Sequence, residues 1–216
     1  MRRRWAAAAV IWYSLASGGA ATSSDQHGRL FPPQDLGLLE VPDRDVWNRP
    51  DQIMDALGIG DGMAVAELGA GGGWFTIRLA RRVGPNGVVY AEDIQRQMIA
   101  AIQGRIEREN LKNVRTQLGT PSDPRLPKNI LDAVVIVDTY HEIEQPVALL
   151  RNVAASLKTE GRIGIVEFTK DGGGPGPPMD ERVDPEAVIR DAQAAGLKLI
   201  SREGFLRYQY LLVFGK

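Results

Sequence analysis

The sequence predicts an α/β domain: a doubly wound, mostly parallel seven-stranded sheet with helices on both faces and an antiparallel hairpin at its C-terminal end. Three observations predict it. Short apolar runs alternate with amphipathic stretches between residues 63 and 195, which is the pattern of parallel strands joined by crossover helices. A glycine-rich turn follows the first apolar run directly and opens a helix. The last two apolar runs, 197–203 and 208–214, have only a short turn near Gly204 between them, so they must pair antiparallel.

In chain order, the buried strands fall at 63–68 (MAVAEL), 87–92 (GVVYAE), 113–118 (NVRTQL), 131–138 (LDAVVIVD) and 161–168 (GRIGIVEF). The helices fall at 73–83, at 95–109 with Met98, Ile102 and Ile106 on one face, at 146–158 and at 185–195. The last two open at Pro146 and Pro185, where a missing N–H costs nothing. Residues 44–216 make one domain, residues 22–43 a polar, proline-punctuated linker or an arm lying on it, and residues 1–21 a targeting segment.

That segment carries Arg2, Arg3 and Arg4, no acid, an apolar run from Trp5 to Ala16 too short to span a bilayer, and small residues up to Ala21. This is the order of a secretory signal peptide, so export to the periplasm or medium is expected, with the mature chain starting near Ala21 or Thr22 and no stable membrane insertion after cleavage. A mitochondrial presequence shares the arginine-rich, acid-poor character, and an upstream start codon leaves a cytoplasmic protein with an added tail; both alternatives stay open.

Composition narrows the function. Of 216 residues 44% are hydrophobic and 25% charged, which excludes disorder and fibrous repeats. Lys plus Arg (26) balances Asp plus Glu (27), leaving no field strong enough to hold nucleic acid or an anionic membrane, so a small-molecule substrate is expected. The absence of cysteine excludes thiolate metal sites and a thiol nucleophile, and no metal site is expected.

The strongest signal is the run Glu67, Leu68, Gly69, Ala70, Gly71, Gly72, Gly73, with glycine at every second position behind a carboxylate. Backbone must approach a ligand closely there. The dinucleotide fingerprint fails, because Trp74 stands where a small residue is needed five positions after Gly69. A pyrophosphate would also lie near Glu67 with no Lys or Arg in the turn to offset it, so a cationic or zwitterionic ligand suits better. Asp93, 20 residues after Gly73 at the end of the second strand, can accept both ribose hydroxyls, and Ile94 can cover a base.

The run GDGMAVAELGAGGGWFTIRLARRVGPNGVVYAEDI resembles the first half of the class I S-adenosylmethionine-dependent methyltransferases, with the acid-x-G-x-G-x-G motif complete. NVRTQLGTPSDPRLPKNILDAVVIVDTYHEI and SLKTEGRIGIVEF continue the resemblance over about 170 residues, and the Trp47–Pro50 segment resembles the lead helix of small members related to quinone-biosynthesis C-methyltransferases. The resemblance implies a Rossmann-like methyltransferase fold, S-adenosyl-L-methionine as cofactor, and methyl transfer. It places Gly69, Ala70, Gly71 and Gly73 along the methionine part of the cofactor, Glu67 near its amino group, Asp93 on the ribose, and Ile94 and Asp138 among the contacts. Asp123, in the loop GTPSDPRLP, is placed on the adenine amino group, although an aspartate there also caps a turn.

Tyr140, His141 and Glu142 follow the fourth strand at the rim where strand order reverses, and the catalytic assignments fall on them. His141, with an ordinary pKa near 6.5, can take a proton from an oxygen, nitrogen or carbon acid near neutrality; the alternative is a histidine that only packs while proximity does the work. The segment KDGGGPGPP, 170–178, leaves the fifth strand at the ligand edge and reads as a mobile lid or as slack; the resemblance implies a substrate-facing loop, with Glu167, Glu181 and Arg182 as contributors. Two further function readings stand beside methyl transfer: an NAD(P)-dependent oxidoreductase, and a non-catalytic S-adenosylmethionine-binding protein.

Overall fold

The computed structural model describes residues 30–171 and 173–216, so the expected targeting segment lies outside the described residues. Seven strands form one sheet: β1 (Ala64–Leu68), β2 (Val88–Asp93), β3 (Val114–Leu118), β4 (Leu131–Val137), β5 (Leu157–Phe168), β6 (Lys198–Glu203) and β7 (Gln209–Gly215). Their order is β3-β2-β1-β4-β5-β7-β6. The first five are parallel to one another, and β7 runs antiparallel between β5 and β6. Strand order reverses between β1 and β4, which opens a crevice at their C-terminal ends.

The sheet is buried on both faces, as a parallel sheet requires. Alternation along β4 shows it: Val134 and Ile136 join the layer containing Leu150, Val153 and Phe214, while Val135 and Val137 join the opposite layer containing Ile53, Phe75 and Leu79. The connecting helices are α3 (Trp74–Val83), α4 (Arg96–Arg108), α5 (Pro146–Ser156) and α6 (Pro185–Ala194). No helix among the described residues is long and apolar enough to cross a membrane.

Two boundaries differ from the sequence reading. The lead helix is broken into α1 (Arg44–Asn48) and α2 (Pro50–Ala56), because Pro50 disfavours the right-handed helical conformation at Arg49, which adopts φ 48° instead. The helix expected to reach residue 158 stops at Ser156. Leu157, fully buried, is already extended and pairs with Leu131, starting β5 early.

From residue 30 on, the segment before the domain lies on it. Pro33–Leu39 form a 3-10 helix, and Glu40 holds Arg105 of α4 through two contacts of 2.7 Å. Phe31 is bound at both ends of its backbone: its N–H donates to Glu142 Oε2 (2.9 Å), and its carbonyl accepts from Gln95 Nε2 (3.0 Å). The arm therefore roofs the crevice.

Candidate functional site

The site starts from the turn after β1. At Gly69, with φ 65°, a Cβ would stand 2.1 Å from Thr139 Cγ2, so only glycine lets the end of β4 come this close. Gly71, with φ 54°, turns its N–H onto Asp93 Oδ2 at 3.0 Å. Asp93 Oδ1 accepts from the Gln95 N–H at 2.9 Å, so two backbone amides fix the carboxylate at the end of β2, and burial raises its pKa. Beside it Glu92 is buried with Oε1 unbonded and its pKa also raised by burial; Gly119 supplies the space, since a Cβ there would lie 1.8 Å from that oxygen.

Glu67 is buried under the turn and accepts a hydrogen bond from Thr76 Oγ1. Burial pushes its pKa up to about 8, so it carries a proton at neutrality. At the end of β4, Asp138 sits at φ 55° and receives Arg44 Nη2 at 3.1 Å and the Gln209 side-chain amide; burial lifts its pKa to about 6 despite the arginine.

His141 faces the cavity from the 3-10 turn Tyr140–Glu142. Its Nδ1 lies 3.1 Å from each oxygen of Glu167, which is wholly buried on β5, and its Nε2 lies 3.8 Å from Glu142 Oε1. Burial works to lower the imidazole pKa, but the hydrogen bond and charge of Glu167, with Glu142 and Asp138 behind it, bring it to about 9. Glu142 also moves up, out of a carboxylate's usual range: burial raises it to about 7 against the Phe31 amide and His141.

Glu67, Glu92, Asp93, Asp138, His141 and Glu142 line one cavity of about 620 Å³, together with Gly69, Ala70, Gly71, Ile94 and an apolar wall that includes Leu36, Trp74, Met98 and Phe168. That volume suits a nucleoside cofactor with a small partner. Three expected residues lie elsewhere. Tyr140 is fully buried behind the turn, its hydroxyl donating to Asp191 Oδ2 at 2.9 Å; successive residues of a tight turn point in different directions, and this one points into the core. Asp123 is exposed and outside the cavity wall, its carboxylate capping its own turn through the Arg125 N–H (2.8 Å), while Thr120 and Pro121 line the wall instead. Gly73 caps α3 and faces Ile102 and Arg105 of α4.

In the proline-rich loop, Pro175, Gly176, Pro177 and Glu181 reach the cavity, whereas Arg182 is buried and pins the loop by donating to the carbonyls of Thr169, Pro175 and Pro177. Arg44 and Gln209 were not expected in the site. Nothing local in the sequence marks either, since both are brought in from elements distant in the chain.

Fold and site together define a doubly wound α/β domain that holds a nucleoside ligand at its switch point. Residues 65–161 match the family described as Methyltransferase domain. A ubiquinone/menaquinone biosynthesis C-methyltransferase, UbiE, of Pasteurella multocida is 32% identical over 140 residues, which cover 62% of this chain and 49% of that protein. Nocamycin O-methyltransferase of Saccharothrix syringae is 28% identical over 131 residues, covering 61% and 44%. The chain thus spans about half the length of these curated relatives. It superposes on the crystal structure of a SAM-dependent methyltransferase from Aquifex aeolicus with a TM-score of 0.82 and 25% identity, covering 86% of this chain and 98% of that one. Residues 65–161 thus carry a methyltransferase domain, on a fold that matches a solved SAM-dependent methyltransferase over most of the chain. Nothing in these likenesses favours a nicotinamide cofactor or a fold kept only for binding.

The residues present fit S-adenosylmethionine. The glycine turn leaves room for close approach, Asp93 stands anchored at the end of β2, and the unbonded Glu92 Oε1 offers a further acceptor beside it.

Proposed function

We propose that the protein methylates a small-molecule acceptor bearing an ionisable proton. The observation that carries this reading is the convergence of the glycine turn and Asp93 with His141 and Glu142 on one cavity, His141 being held from behind by the buried Glu167. When bound, S-adenosylmethionine supplies an electrophilic methyl group on a sulfonium. Gly69, Gly71 and Asp93 hold it, and the arm and the proline-rich loop exclude water.

Glu167 fixes the imidazole of His141 through Nδ1, leaving Nε2 on the side of Glu142. With a pKa near 9, His141 holds both ring protons at neutrality and acts as a donor in the resting protein. Glu142, near 7, is the group matched to accept a proton there. The His141 imidazolium beside it favours the ionised form of Glu142 and already carries both its protons, so a proton taken from an acceptor rests on Glu142. This refines the expectation that His141 by itself is the base.

The apolar wall and near-balanced charge support a small organic acceptor over nucleic acid. The order of Arg2–Arg4 and the Trp5–Ala16 run supports export. The deciding experiment incubates the protein and methyl-labelled cofactor with an extract of the native source, and reads the mass of the labelled product. Labelled small molecules support the proposal; binding of cofactor with no labelled product from any fraction overturns it. The intact mass of the native protein decides export: a start near Ala21 or Thr22 supports it, and the full-length chain refutes it.

A further inference from the structure

We propose that Arg44 is the counter-ion for the carboxylate at the amino-acid end of the cofactor. This rests on the S-adenosylmethionine reading above. Among the described residues lining the cavity, Arg44 is the only arginine or lysine. It is 8% exposed, so its charge must be answered inside the protein.

The protein answers it in part. Nη1 donates to the Leu39 carbonyl at 2.7 Å and Nη2 to Asp138 Oδ2 at 3.1 Å, while the Nε–H is buried and bonds nothing among the described residues. Burying a donor unbonded costs free energy that native structures seldom leave unrecovered. The guanidinium lies 4.2 Å from the Trp74 ring centre, and Trp47 flanks it at 5.9 Å. These rings hold the plane in place without consuming its hydrogen bonds.

Its position fits the role. Trp74 directly follows the glycine turn, and Asp138 precedes Thr139, which touches Gly69, so Arg44 stands at the end of the cavity where the turn lies. The amino-acid end of the cofactor is a zwitterion. Its ammonium finds acceptor oxygens there in the carboxyl groups of Glu67 and Asp138, and its carboxylate has Arg44 as the one permanent cation among the described lining residues. An arginine on α1 thereby completes a site whose other parts lie on the sheet.

The competing role is a strut, tying α1 to β4 through Asp138 with no ligand involved. A ligand–mutant cycle separates the two. Calorimetry measures binding of S-adenosylhomocysteine and of its decarboxylated analogue, which keeps the adenosine, thioether and amine, to the wild type and to Arg44→Gln. The wild type should bind the decarboxylated analogue at least about tenfold more weakly, and Arg44→Gln should bind both ligands with nearly equal affinity. Arg44→Lys should recover part of the discrimination.

Equal binding of the two ligands by the wild type overturns the proposal without the need of any variant. So does an undiminished preference for S-adenosylhomocysteine in Arg44→Gln. If the wild type binds neither ligand, the cofactor reading itself has failed, a result distinct from either of these.

Discussion

Replacing Glu167 by glutamine keeps the side chain's size and removes the charge that faces His141. In the wild type, burial works against the imidazolium, and the hydrogen bond and charge of Glu167 more than reverse it, carrying the pKa from 6.5 to about 9. That rise corresponds to roughly 3 kcal/mol in favour of the charged ring. With the charge gone, burial is opposed only by Glu142 and Asp138, and His141 in Glu167→Gln should titrate well below 9. The assay is an NMR titration of the imidazole Cε1 protons. Only His27 and His141 contribute, and His141→Ala identifies the signal. Turnover should follow the midpoint, the donor form being lost at lower pH in the variant. A midpoint that stays near 9 would refute the reasoning, because the source of the shift would then lie elsewhere. A merely structural Glu167 would lower the melting temperature and leave the midpoint alone.

Three further outcomes are expected. The pKa values of Asp138 (about 6), Glu142 (about 7), Glu67 (about 8) and His141 (about 9) are all raised above their unfolded values, so each contributes stability below its unfolded pKa that is lost as the pH rises through its folded one. The melting temperature of the ligand-free protein should therefore fall as the pH is raised from 4.5 to 9, and calorimetry showing a flat or rising curve contradicts this. Asp93→Ala should weaken S-adenosylhomocysteine binding at least about tenfold, from the loss of a charged acceptor and of the anchor for the Gly71 and Gln95 amides; unchanged affinity would move the ribose contact to Glu92. Tyr140→Phe should cost about 1 kcal/mol in denaturant unfolding and leave turnover within about twofold, since its hydroxyl serves Asp191; a hundredfold loss of turnover would return Tyr140 to the chemistry.

The parts of the site legible in the sequence are those whose chemistry and geometry are local. The spacing of Gly69 and Gly71 behind Glu67, and of Asp93 behind both, is imposed by one strand-turn-helix unit and the strand after it, so counting residues locates it. Position after the fourth strand placed His141 and Glu142 in the cavity for the same reason. The same argument misassigned Tyr140, because adjacency in a tight turn says nothing about which face a side chain takes. Asp123, which the resemblance placed on the adenine amino group, follows the other reading of its loop and caps its own turn through the Arg125 amide. Arg44 was invisible for a different reason: its burial depends on Trp74, thirty residues on, and on Asp138, ninety-four residues on.

The placement of β7 bears on how the protein is made. Gln209, its first residue, bonds both Asp138 and the side chain of Asn48, 161 positions earlier in the chain. A ribosome releasing this polypeptide from its amino end has produced the glycine turn, Asp93 and the whole parallel half of the sheet before that partner exists. Until Gln209 emerges and the last strand slides between β5 and β6, two neighbouring strands lie open along their edges and Asp138 lacks one of its two clamps. The nascent protein thus carries its nucleoside fingerprint well before it has a finished pocket, and late insertion of the strand next to the edge is the step at which binding competence and protection from aggregation arrive together.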